Sequence, residues 1–183
     1  HRDLHSFPTR RSSDLYAKTN NNYEMCMLLI NLSEVALRTN ENQKAFEYLN
    51  IALKKSELHN FKSLTAYIYF SLGNYYTAVK DYNKSINCYE KSLKMRQSNA
   101  SQENQIDNYI ALANVYWEQG FFEKALTHAK TALKLSENAF DIEKITELYN
   151  ILANIFSGQH DYKNAFQYRS EEHTSELQSR QSI

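Results

Sequence analysis

The sequence has few residues that interrupt helices. Its 183 residues include one proline and three glycines, and these two residue types oppose helix formation most strongly. There are also only two cysteines, which is too few for the disulfide framework of a small secreted domain. We expect both of them, Cys26 and Cys88, to be buried as small apolar side chains. The composition therefore favours a nearly continuous series of helices.

An excess of charge of one sign is lacking as well. The chain carries 21 basic and 21 acidic residues, for a formal net charge of zero. A balanced chain has no general attraction to nucleic acid or to an anionic membrane surface, so we expect no direct nucleic-acid binding. No segment approaches the roughly 18 apolar residues of a membrane span, and the amino terminus lacks the apolar centre of a signal peptide. The sequence predicts no membrane span.

One pattern recurs four times at a fixed spacing. Four leucines stand 40 residues apart, and a small residue follows each of them by 13 positions. The leucines are Leu32, Leu72, Leu112 and Leu152, and the small residues are Ala45, Ser85, Ala125 and Ala165. A second small residue follows three of these by seven positions, namely Ala52, Ser92 and Ala132. A period of this length is typical of repeat proteins.

Each repeat has the pattern of two helices packed against each other. Large side chains in its first half are three and four residues apart, as in Tyr69, Leu72 and Tyr76, and this spacing places them on one helix face. The second half presents small side chains, such as Ala125 and Ala129. Small residues let two helix backbones approach closely while large ones fill the groove between them. The sequence therefore predicts an all-α protein of stacked helix pairs.

This pattern resembles the tetratricopeptide repeat, whose motif reads W-x2-L-G-x2-Y, then G-x-Y-x2-A, then F-x2-A. The matching residues are Leu72, Gly73, Tyr76, Gly120, Phe122, Ala125 and Ala132. The sequence departs from the motif in having no tryptophan at the first position and no closing proline, and its period of 40 residues exceeds the usual length of about 34. The resemblance implies a right-handed α-α superhelix of antiparallel helix pairs over about residues 16–168.

Both ends of the chain resemble translated sequencing-adapter oligonucleotides. The strings are HRDLHSFPTRRSSDL at residues 1–15 and RSEEHTSELQS at residues 169–179. We therefore predict non-native tails at 1–15 and 169–183, flanking a fragment of about four repeats at 16–168 in which the second helix of the last repeat is truncated. Because one repeat cannot bury its apolar face alone, we expect both ends of the fragment to expose apolar surface and to promote self-association.

Motifs for catalysis are lacking. The sequence has no glycine-rich phosphate loop, no nucleophile elbow and no pair of histidines at zinc-binding spacing. His59, His128 and His160 fall in different repeats at different phases. We expect no enzymatic activity, no cofactor and no metal.

A polar residue recurs two positions after each of the four leucines. These residues are Glu34, Asn74, Asn114 and Asn154. In tetratricopeptide-repeat proteins the first helices line the concave surface, and the resemblance implies that this position faces it. An amide can both donate and accept, so it can pair with a peptide backbone whatever the peptide sequence. Candidate neighbours in the groove are Tyr67, Phe70 and Ile110. Alternatively, the asparagines recur because repeats duplicate, or they bond within the solenoid.

Two functions are consistent with these features. The first is a scaffold that binds a protein or peptide partner, held as an extended peptide or a helix in the concave groove. The second is the sensory or oligomerising region of a bacterial sensor histidine kinase or transcriptional regulator, because the long repeat and the segment 161–166 are similar to repeat regions of such proteins. We expect a cytoplasmic location, or a periplasmic one if the repeats belong to a sensor kinase.

Overall fold

The computed structural model describes residues 10–97 and 102–181, and the side chains of residues 21–97 and 104–174 within them. These residues form eight α-helices joined by short turns, without strands. The prediction of an all-α fold is confirmed. The helices are α1 (Arg10–Arg38), α2 (Asn42–Leu58), α3 (Lys62–Ala78), α4 (Tyr82–Gln97), α5 (Gln102–Glu118), α6 (Phe122–Ala139), α7 (Ile142–Gly158) and α8 (Tyr162–Gln181).

The turns inside the repeats share one backbone conformation. A residue with positive φ follows the first helix of each pair, and the next residue donates its N–H to the carbonyl five residues earlier, as Asp81 does to Tyr76 at 2.9 Å. This is the Schellman ending of a helix. The positive-φ residues are Asn40, Lys80, Gly120 and His160. Only one of the four is glycine, so in the other turns the helix–helix packing maintains a conformation that L-residues adopt at a cost.

The eight helices form two layers. Each helix packs against the next one in the chain, and the odd-numbered helices also contact each other, α1 with α3, α3 with α5 and α5 with α7. Among the described residues, no two even-numbered helices are in contact. A solenoid whose odd-numbered helices crowd together while its even-numbered helices diverge is curved, with the odd-numbered helices on the concave side. We call the surface formed by α1, α3, α5 and α7 the inner surface.

Small residues occupy the centre of each helix pair, as the sequence predicts. The six small residues after the first three leucines are all fully buried: Ala45, Ala52, Ser85, Ser92, Ala125 and Ala132. The fourth repeat adds Ala165, which is also buried. Cys26 and Cys88 are buried with free thiols, and burial raises the pKa of both. The prediction that they act as small core residues is confirmed.

The first and last repeats differ from the middle ones in burial. Leu72, Leu112 and Leu152 are buried, whereas Leu32 is 38% exposed because no described residue packs on that face of α1. It belongs to an exposed apolar stripe with Met25, Leu28 and Val35. At the other end, Phe166 is 75% exposed. The expected apolar surface at both ends is therefore present.

The helices continue across both predicted tail boundaries. Helix α1 begins at Arg10 and α8 continues to Gln181. We expected the last helix to be truncated at Tyr168, but it continues beyond that residue. The repeat pattern does stop there. Arg169 is exposed, although the equivalent residues Leu49, Tyr89 and Ala129 are buried. Residues 1–9 and 182–183 of the predicted tails lie outside the described residues, and the adapter origin of both tails stays a prediction.

His128 makes stability depend on pH. Its ring stacks on the rings of Tyr116 and Tyr109, with centroids 5.4 and 6.0 Å away. Burial and then the Lys124 ammonium lower the pKa of His128 below its ordinary value of 6.5. The unfolded chain therefore takes up this proton at a higher pH than the folded chain, and stability is lost as the pH falls through about 6.5.

The pH dependence can be measured through the melting temperature. Between about pH 8 and pH 5, we expect the unaltered chain to lose more thermal stability than the variant His128→Gln, which has no imidazole to protonate. The two proteins are compared by the slope of melting temperature against pH, because losing the stacked ring also changes the melting temperature itself. Parallel slopes for the two proteins would show that His128 does not titrate differently on folding.

Candidate functional site

A cavity of about 300 Å³ opens on the inner surface near the amino-terminal end of α3. Residues from α1, α3 and α5 surround it, together with one residue of α4. They are Tyr23, Met27, Ser63, Leu64, Ala66, Tyr67, Arg96 and Asn104. Tyr23 and Ser63 are exposed at the rim. The walls are thus mainly apolar, and one of the lining residues carries a charge.

That charged residue, Arg96, is only 5% exposed. Its Nη1 donates to the carbonyl oxygen of Asn104 and to Oδ1 of Asn108, and its guanidinium carbon lies 4.9 Å from the centroid of the Phe70 ring. None of the described carboxylates forms an ion pair with it. Burial lowers the pKa of Arg96, and Asp107 partly counters that effect from a greater distance. A buried cation without a counter-ion costs several kcal/mol of lost hydration.

Buried hydrogen bonds fix the position of Arg96. Asn108 is fully buried, and its Nδ2 donates to the carbonyl oxygen of Tyr89 at 2.8 Å. Its Oδ1 accepts from Arg96 and from Ser92. The network ties α4 to α5 and keeps the guanidinium at the wall of the cavity. Neither Arg96 nor Asn108 is among the site residues predicted from the sequence.

Tyr67 is the only predicted site residue that lines this cavity. Its hydroxyl donates to Oε1 of Glu34 at 3.3 Å. Burial, followed by the Glu34 carboxylate, raises the pKa of the Tyr67 hydroxyl. The structure thus brings together two residues that the sequence analysis named separately, on the facing helices α1 and α3.

The recurring asparagines are half-buried, and they differ in their bonding. Oδ1 of Asn74 accepts from the Tyr89 hydroxyl at 2.7 Å. Asn154 donates to Asn150 at 3.0 Å and accepts from Arg169 at 3.0 Å. Asn114 makes no side-chain hydrogen bond to any described residue. Internal bonding therefore accounts for part of this set, and Asn114 is the member whose amide no described residue occupies.

Of the other two predicted neighbours, one is buried and one is half-buried. Ile110 is 6% exposed and packs in the core between α5, α6 and α7. Phe70 is half-buried, with its ring centroid 5.5 Å from that of Tyr89. Ile110 therefore contributes packing beneath the inner surface, while the ring of Phe70 packs against the guanidinium of Arg96.

A charged cluster lies on α5 and α7 near the cavity. Lys144 Nζ lies 3.1 Å from Asp107 and 3.2 Å from Glu147. Burial alone would lower the pKa of Lys144, but the Asp107 carboxylate raises it above its ordinary value. The Asp107 carboxylate therefore forms its ion pair with Lys144 and not with Arg96.

Two further kinds of site were sought in the described part of the chain. Its His, Cys, Asp and Glu side chains do not gather into groups of three that could hold a metal ion. Nor does any helix there have the length and apolarity to cross a membrane.

Comparison with known families agrees with the repeat geometry. Two family models, each described as tetratricopeptide repeat, match residues 11–98 and 109–143, which together make up more than half of the chain. The chain belongs to the tetratricopeptide-repeat family. Solenoids of this family present extended concave surfaces for other proteins, and the chain is a protein-binding repeat scaffold in that sense. No curated protein sequence matches it.

Several solved structures share this tetratricopeptide-repeat fold. Aspartyl phosphate phosphatase F from Bacillus subtilis aligns with a TM-score of 0.80 at 14% identity, over 85% of this chain and 41% of that protein. BtubC (BKLC) from P. vanneervenii aligns at 0.77 and 16% identity, over 93% and 74%. The apo form of RapI aligns at 0.75 and 17%, over 91% and 46%. The chain thus spans less than half the length of two of these proteins, and identities this low establish the fold alone.

Proposed function

We propose that this tetratricopeptide-repeat chain binds an extended peptide segment of a partner protein along its inner surface. The observation that carries the proposal is the cavity between α1, α3 and α5, which combines apolar walls with one buried cation. Binding sites for small groups are typically concave and mostly apolar, with a few fixed polar groups for orientation. On this proposal the chain has no catalytic role and needs no cofactor.

An extended peptide fits the polar groups available on this surface. The amide of Asn114 is unoccupied by described residues, and the Nδ2 of Asn74 donates no hydrogen bond to them although its Oδ1 is taken. An extended segment has backbone N–H and C=O groups that need partners when they leave water. A helical segment satisfies those groups internally, so these amides favour an extended ligand over a helical one.

The test of this proposal uses peptides selected from a random display library against the chain. Replacing Asn114 by alanine is expected to lower the affinity for the selected peptides by about 2- to 10-fold, the effect of one hydrogen bond. The melting temperature should not change. Asn87, which is exposed on α4 in the outer layer, provides the matched control, and Asn87→Ala should leave affinity unchanged. Equal affinity for the unaltered chain and Asn114→Ala would exclude contact through this amide.

The variant Asn74→Ala distinguishes whether Asn74 binds the peptide or stabilises the fold. Asn74→Ala removes the closer hydrogen-bond partner of the buried Tyr89 hydroxyl, which keeps Thr77 Oγ1 at 3.4 Å, so we expect a loss of about 0.5–1.5 kcal/mol in the free energy of unfolding. Chemical denaturation of the variant measures it. Unchanged stability together with weakened peptide binding would assign Asn74 to the ligand alone.

The second candidate is the sensory or oligomerising region of a larger signalling protein. It is supported by the similarity to aspartyl phosphate phosphatase F and RapI, in which the matched solenoid is less than half of the protein. This likeness concerns the fold, so we do not propose phosphatase activity. We also propose a cytoplasmic location, or a periplasmic one if the repeats belong to a sensor kinase. Self-association through the apolar stripe of α1 and through Phe166 is part of the proposal, because exposed apolar surface favours association.

A further inference from the structure

Arg96 occupies a position that serine fills in the neighbouring repeats. Ser56 and Ser136 stand 40 residues before and after it, and both are fully buried in the corresponding place. A buried serine is thus compatible with this packing, and the fold does not require a cation there. Replacing a small neutral residue by a buried guanidinium costs hydration. Such a cost is tolerated where the charge has a use.

The described residues use only part of the donors of Arg96. All of its hydrogen bonds to described residues come from Nη1, although a guanidinium has five N–H donors. The Phe70 ring covers one face of the group. Arg96 itself lines the cavity. Among the described residues no carboxylate forms an ion pair with Arg96, so the site favours a further acceptor, above all a negatively charged one.

The surroundings favour a carboxylate over a phosphate. Asp107 lies close enough to influence Arg96, and Glu34 is bonded to Tyr67 at the same cavity. Asp107 is paired with Lys144, but the Glu34 carboxylate remains at the cavity that Arg96 lines, and its negative charge opposes the binding of a dianion more than that of a monoanion. The apolar walls, which include Met27 and Leu64, also suit the methylene groups that carry the carboxylate of a glutamate side chain.

The geometry points to a subsite in which Arg96 binds the carboxylate of an acidic side chain of the bound peptide, while Met27, Leu64 and Tyr67 contact its aliphatic part. The inference rests on the proposed peptide-binding function and specifies the ligand of that same surface. It makes the chain selective for peptides with a glutamate or aspartate at one fixed position.

The first experiment tests the subsite without a peptide. The Nε–Hε signal of Arg96 is followed by NMR while N-acetyl-glutamate methylamide is added to the unaltered chain, with N-acetyl-glutamine methylamide as the uncharged control. We expect a saturable shift of Arg96 and Tyr67 with the glutamate probe only. Absence of a shift, equal shifts with both probes, or a shift with inorganic phosphate alone would overturn the inference.

The second experiment couples Arg96 to the peptide. Peptides selected on the unaltered chain should share an acidic residue, and its replacement by the amide should weaken binding by about 10- to 100-fold, as expected for a hydrogen-bonded charge. In Arg96→Ser, which installs the residue of the adjacent repeats, the acidic and amide peptides should bind equally. Arg38→Ser, at an exposed arginine of α1, should preserve the difference.

The outcomes separate this inference from the proposed function. If selected peptides bind to the inner surface but carry no shared acidic residue, or lose affinity only when their carboxyl terminus is amidated, the peptide-binding function stands and the acidic-side-chain subsite is wrong. If no peptide is selected, the proposed function fails, and the NMR titration alone decides whether Arg96 binds a carboxylate.

Discussion

Replacing Leu112 by alanine is expected to lower the free energy of unfolding by about 2–5 kcal/mol, the range for a leucine deleted from a packed core. The same replacement at Leu32 should cost less than about 1 kcal/mol, since surface substitutions have small effects. The two leucines occupy the same position in their repeats, yet Leu112 is 1% exposed and Leu32 is 38% exposed. The difference comes from neighbours: Leu112 packs in one cluster with Tyr89 and Val115.

Denaturation by urea, followed by circular dichroism, measures both losses. A repeat protein is stabilised by its repeats and by the interfaces between adjacent repeats, so the cost of Leu112→Ala should appear as a lower midpoint of the main transition. Leu152→Ala, at a fully buried leucine, is the positive control. Equal losses for Leu32 and Leu112 would mean that the exposed face of α1 is covered in solution, for instance by a second copy of the chain.

Gly73→Ala is expected to destabilise the protein, although alanine is the better helix former. A Cβ at this position would lie less than 3.0 Å from three atoms of the Tyr89 ring. That ring is 2% exposed, and its hydroxyl is bonded to Asn74, so it cannot move aside easily. Overpacking of this kind costs about 3 kcal/mol and exceeds the roughly 1 kcal/mol of helix propensity that alanine gains. We expect a net loss of about 2 kcal/mol.

A double-mutant cycle tests the cause of this loss. The equivalent pairs in the first and third repeats are Ser33 with Leu49 and Ala113 with Ala129, all buried. In these two repeats, a residue larger than glycine at position 33 or 113 faces a partner smaller than tyrosine. In a Tyr89→Leu background, Gly73→Ala should therefore cost little or even stabilise. A loss of the same size in both backgrounds would show that the Tyr89 ring is not the obstacle.

Most of the fold could be predicted from the sequence because its signal is repeated. The period of 40 residues and the recurring small residues predict the number of helix pairs and the centre of each pair. Each repeat provides the same evidence independently. The exceptions lie at the ends. Leu32 satisfies the pattern but is exposed, because burial depends on a neighbour that a pattern within one repeat does not contain. Helix α8 continues past Tyr168, where the apolar pattern stops but helix-forming residues continue.

The site was predicted less well for a physical reason. Register identified the asparagines, yet register cannot tell that Asn74 is bonded to Tyr89 while Asn114 is not. Arg96 lies on an even-numbered helix, and its place at the cavity depends on how α4 packs against α5 through Asn108. One signal was available: an arginine replaces the serine of the neighbouring repeats. A departure from a repeat at a buried position is therefore as informative as the repeat itself.

Peptide binding by the inner surface can be observed directly in an NMR titration of the isotopically labelled chain with the tightest selected peptide. We expect chemical-shift changes on the inner faces of α1, α3 and α5, with the side-chain N–H groups of Asn114 and Arg96 among the largest. Changes confined to the outer helices α2, α4 and α6, or to the apolar stripe around Leu32, would contradict the claim and place the binding site elsewhere on the solenoid.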